Sequence, residues 1–83
     1  MPRLRRLSGT QVITILEELG FEVTRVKGSH YRLKIVLFDR SCYTTVPVHG
    51  NHPLSTGTLH AILHQISPCI PEDELRSHFY AEL

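Results

Sequence analysis

Lys27-Gly28-Ser29-His30-Tyr31-Arg32-Leu33-Lys34-Ile35 is the stretch that decides how this chain folds. From about Ser29 to Leu37 the residues alternate, with His30, Arg32 and Lys34 on one side and Tyr31, Leu33 and Ile35 on the other. Successive side chains of a strand point to opposite faces, so this pattern predicts a strand with one apolar face and one basic face that carries an imidazole. Lys27-Gly28 reads as a tight turn, because Gly28 is free to adopt positive φ. Before it, Glu22 to Val26 alternates in polarity and is rich in β-branched residues, which predicts a second strand. After it, Phe38-Asp39-Arg40-Ser41 predicts a hairpin turn and Cys42 to Val48 a third strand. Pro47 restricts the pairing of that strand to an edge or a strand end.

Helices flank this hairpin region. Ser8 and Gln11 have the spacing of a capping box, and Val12, Ile15, Leu16 and Leu19 recur on one helical face. With Gly20 as a stop signal, a helix is predicted over about 9–19. His49-Gly50-Asn51-His52-Pro53 reads as a loop. Ser55 or Thr56 can cap a second helix, whose apolar stripe is Leu59, Ile62, Leu63 and Ile66, with Ser67-Pro68 at its end. Pro71 suits the start of a short third helix, and Glu72, Asp73 and Glu74 complement its positive end. The order is helix, three strands, helix, short helix. It predicts an α+β fold in which a three-stranded antiparallel sheet has helices on one face. The uncovered face is the one with His30, Arg32 and Lys34.

Composition narrows the class. A chain of 83 residues fits one domain (1–83), with a basic segment over 1–7 and the short helix within 70–83. No apolar run approaches the length of a membrane span, and no signal-type apolar stretch follows the basic start, so a cytoplasmic protein is expected. Cys42 and Cys69 are too few for a disulfide scaffold and too far apart in sequence for a usual zinc site; both are expected as free thiols in or near the core. The net charge of +1 hides an asymmetry. Residues 1–40 carry eight Lys/Arg against four acids, and residues 41–83 carry one Arg against four acids. Such clustering suggests a polyanionic partner.

Gly28-Ser29-His30, Val46-Pro47-x-His49 and Gly57-Thr58-Leu59, in that order and spacing, resemble the HicA-type (YcfA-like) toxins of toxin–antitoxin pairs. Leu7-Ser8-Gly9 and Leu19-Gly20-Phe21 are similar to the family as well. The resemblance implies a fold like a double-stranded-RNA-binding domain and metal-independent endonucleolytic cleavage of RNA, mainly mRNA. It also implies a HicB-type antitoxin as partner and no cofactor. The family's catalytic histidine maps onto His30, and the histidine that ends the Val-Pro motif maps onto His49. Where relatives often carry Lys or Arg, around and after the Gly-Thr-Leu motif, this chain has Ser55, Thr56, His60 and His64.

The chemistry fits these residue types. RNA cleavage without metal needs a base for the ribose 2′-OH proton and an acid for the leaving 5′-oxygen, and an imidazole suits either task. Cations stabilise the charge that develops on the phosphate. His30 shares its strand face with Arg32 and Lys34; these two and Lys27 are the expected phosphate contacts. Ser29 is either a further contact or a turn residue. His49 is either the second acid/base partner or a residue that holds its loop. His60 and His64 have metal-ligand spacing, but no Glu stands between them and no carboxylate cluster supplies further ligands, so a solvated helix face is the default. An RNA-binding module of the same fold without catalysis is the alternative function.

Overall fold

A computed structural model describes residues 3–81. Met1 and Pro2 of the basic segment, and Glu82 and Leu83 of the C-terminal one, lie outside the described residues. In chain order the elements are β1 (Arg3–Leu4), α1 (Gly9–Glu18), β2 (Glu22–Lys27), β3 (His30–Val36), β4 (Ser41–Pro47), α2 (Thr56–Ile66), α3 (Glu72–Phe79) and β5 (Tyr80–Ala81). The fold is α+β, with β2-β3-β4 as an antiparallel three-stranded sheet. No described helix is long and apolar enough to cross a membrane.

The local signals explain these boundaries. The Ser8–Gln11 capping box forms in both directions: Ser8 Oγ accepts from the Gln11 N–H, and Gln11 Oε1 accepts from the Ser8 N–H. After α1, Gly20 takes φ +107° and the Phe21 N–H reaches back to the Leu16 carbonyl, which turns the buried Phe21 ring into the core. Ser55 caps α2 by accepting from the Thr58 N–H. Pro71 sits one place before α3, at its cap.

β3 is the central strand, so it alone pairs on both sides. Leu33, Ile35, Cys42, Thr44 and Val46 alternate into the interior and pack under α1 and α2, where Val12, Leu16, Leu59, Ile62 and Ile66 meet them. Thr44 is the one polar side chain that this sheet buries, and its hydroxyl donates to Gln65 Oε1 on α2 at 2.7 Å. β2 forms an edge that the helices cover poorly, leaving Val23 and Val26 exposed. β4 is the other edge, and Pro47 is its last residue, the placement that its missing N–H favours.

The cysteines correct the sequence-based expectation. Both are buried, but Cys42 of β4 and Cys69 beyond α2 form a disulfide, with Cα atoms 6.2 Å apart. They are 27 residues apart in sequence, and only the packing of α2 across β4 brings them together, so spacing alone held no sign of the pairing. Arg40 adds a second tie at this corner: its guanidinium donates to the Pro68 carbonyl and to the Asp39 carboxylate. That hydrogen bond and ion pair hold the Asp39 carboxyl below its ordinary range. The chain ends also meet: β1 pairs with β5, and the Arg5 N–H donates to the Phe79 carbonyl. Two residues per strand are too few for any periodicity, and this pairing was not expected.

Candidate functional site

The turn between β2 and β3 builds the site. Gly28 has φ +59° and no other residue of the turn has positive φ, which is the signature of a two-residue type II′ hairpin. A turn this short sets Lys27 directly opposite His30. On the other side, His30 pairs with Pro47.

The next row along the open face is Arg25–Arg32–Thr45, and the one after it is Glu22–Lys34–Tyr43. Rows that share a face are ~6.7 Å apart along a strand, and strands are ~4.8 Å apart. Lys27, His30, Arg32, Arg25 and Thr45 together line a cleft of about 260 Å³. His30, Lys27, Arg25 and Arg32 are all exposed.

Arg25 and Arg32 are direct cross-strand partners. Like charges in that position destabilise a sheet. Glu22 is the single carboxylate in these rows, and among the described residues the ion pair found is Asp39–Arg40, remote from them. The face therefore concentrates positive charge, with no ion pair to it among the described residues, around an imidazole open to solvent.

The structure brings together three of the expected site residues, Lys27, His30 and Arg32. Lys34 lies one row further on, half-buried, with its ammonium 5.2 Å from the centroid of the Tyr43 ring. Ser29 is a turn residue whose carbonyl accepts from the Val48 N–H at 2.7 Å. His49 is exposed, two residues past Pro47, and its carbonyl accepts from the His52 N–H; it does not line the cleft.

Arg25 and Thr45 were missed. Arg25 stands two residues before Lys27 in regular register with it, so it shares the open face; the bulge comes next, at Thr24, whose hydroxyl donates to the Arg32 carbonyl, and it resets the faces of Val23 and Glu22. The signal was present in Arg25-Val26-Lys27, whose alternation puts Arg25 and Lys27 on the face of His30 once Lys27 is counted in the strand. Thr45 was legible from its alternation with Tyr43 and Pro47.

His60 and His64 lie elsewhere. They are exposed on α2 and line a larger groove, about 640 Å³, against Glu72, Leu75, Arg76 and Tyr80. Among the described residues no three His, Cys, Asp or Glu side chains are grouped to hold a metal ion.

Fold and site together define a class: a small α+β protein whose sheet leaves a cationic, histidine-bearing face open opposite its helices. The family model described as HicA toxin of bacterial toxin-antitoxin matches residues 9–67, from the first residue of α1 to the end of α2. The chain belongs to the HicA toxin family, the toxins of toxin–antitoxin systems. No curated protein and no solved structure gives a significant match.

Proposed function

We propose that this protein is an endoribonuclease toxin that cleaves mRNA in the cytoplasm without a metal, with His30 as general acid/base. The observation that carries this reading is the exposed His30 imidazole standing opposite Lys27 and beside Arg25 and Arg32 on a face with a single carboxylate. A phosphodiester lying in that cleft meets cations on both sides of the imidazole. His30 takes the proton from the ribose 2′-OH, the 2′-oxygen attacks phosphorus, and the 5′-oxygen leaves as it is protonated. Arg25, Lys27 and Arg32 offset the charge that builds up on the phosphate oxygens, and Lys34 and Ser29 extend the contact with the RNA backbone. His49, beyond the strand end that pairs with His30, is the candidate for the second proton-transfer group.

Family membership implies an antitoxin partner. A HicB-type antitoxin with an acidic surface would neutralise this face by covering it. The experiment is induced expression of wild type and His30→Ala with inspection of total RNA. His30→Ala is expected to abolish growth arrest and RNA cleavage while keeping the melting temperature and antitoxin binding. Unchanged toxicity would remove His30 from the mechanism. A variant that still binds RNA as tightly as a wild type that never cleaves it would identify a binding module instead. EDTA is expected to leave cleavage intact; loss of cleavage on chelation would refute the metal-free scheme.

A further inference from the structure

We propose that Tyr43 is a stacking platform for an unpaired base, so that the substrate of the open face is single-stranded RNA; the inference rests on the RNA reading above. Tyr43 is on β4, directly opposite Lys34 and in the row next to Arg32 and Thr45 of the cleft. It is 55% exposed, although its strand neighbours Cys42 and Thr44 are buried. The pleat of a well-paired strand therefore sets its exposure, and the ring adds nothing to the core. In these three rows, otherwise made of cations, Thr45, Pro47, an imidazole and the Glu22 carboxylate, it supplies the one aromatic surface.

The ring is already used for its π-electrons, since the Lys34 ammonium rests over it at 5.2 Å. A phosphate alongside would draw that ammonium away, because a charge-assisted contact to an anion is stronger than a solvent-exposed cation–π contact. The ring face is then free for a base. His30 and Lys34 are four residues apart on β3, so this base stacks ~13 Å along the strand from the imidazole. The backbone between them crosses Arg32. A duplex cannot use such a ring: its bases are stacked on one another, and A-form RNA offers proteins its backbone, its 2′-OH groups and its shallow groove. An unpaired strand can splay a base onto it.

The test is fluorescence anisotropy with a labelled, mixed-sequence 2′-O-methyl oligoribonucleotide, which cannot be cleaved through its 2′-oxygen, and with its perfect duplex. Wild type, Tyr43→Phe, Tyr43→Leu and Tyr43→Ala are compared, each checked by its thermal melt. Tyr43→Phe is expected to bind the single strand like wild type. Tyr43→Leu and Tyr43→Ala are expected to weaken it by roughly five- to a hundredfold, the loss of one stacked base. Duplex affinity is expected to be the same for all four proteins. Equal single-strand binding by Tyr43→Ala and wild type overturns the proposal, as does equal loss for strand and duplex, or full rescue by Leu. Those outcomes leave the RNA reading standing. A wild type that binds neither probe overturns both.

Discussion

Gly9 opens α1 against the end of β4. A Cβ built there would run into the Pro47 carbonyl oxygen, with the Val48 Cα only 3.1 Å away. These are backbone atoms that cannot swing aside, and Pro47 is the register partner of His30. Gly9→Ala is therefore expected to destabilise the protein by about 1–3 kcal/mol through overpacking, read as a lower denaturant midpoint with an unchanged slope. RNA cleavage should fall with it, because the wall beside His30 has to move. Gly57, in the first turn of α2, has nothing within 4 Å of where its Cβ would be. Gly57→Ala is expected to stabilise by up to ~1 kcal/mol through helix propensity. If the two glycines gave the same change in the midpoint, the assignment of Gly9 to close backbone contact would fail.

The corner where β4, the end of α2 and the start of α3 meet is held by more than apolar packing. The Cys42–Cys69 disulfide ties it, closing a loop with a sequence separation of 27. Constraining a loop of this length stabilises by about 3–4 kcal/mol in the chain-entropy model, which for a domain this small corresponds to at least 10 °C or so in melting temperature. A reducing cytoplasm would open it. Dithiothreitol is expected to lower the melting temperature by that order, and Cys42→Ala should abolish the sensitivity; a melt indifferent to reductant would refute a stabilising role. The thiols show why part of the structure was hidden from the sequence. α1, β2, β3, β4 and α2 were legible because their signals are local: a capping box at Ser8 and Gln11, a glycine turn at Gly28, and alternation from His30 to Ile35. The β1–β5 pair and the disulfide join residues far apart in the chain, and nothing local marks them. Arg25 is intermediate: its alternation with Lys27 was there, but a strand that stops at Val26, with Lys27 given to the turn, hides that the two share a face.

For the whole molecule, the net charge of +1 is a poor guide to what it attracts. Glu72, Asp73 and Glu74 sit in the first turn of α3, outside the rows of the open face, while Arg25, Lys27, Arg32 and Lys34 occupy adjacent positions on it. A polyanion feels the charges within a Debye length, ~8–10 Å at physiological salt, and the rows of the face are closer together than that. Binding should follow the local face. Each phosphate neutralised on a single strand contributes about 0.7 to the slope of log affinity against log salt. Four cations in contact therefore give a slope near ~−3. Arg25→Ala tests the face: it is expected to reduce the slope by about 0.7 and to weaken binding to all sequences alike, because a phosphate contact carries no base information. Arg76→Ala, on α3, should leave the slope as it is. Titrations of an uncleavable single strand from low to high salt measure all three proteins. A wild-type slope near zero would refute binding through phosphate contacts, and one that Arg76→Ala changes and Arg25→Ala does not would place the RNA on another surface of the molecule.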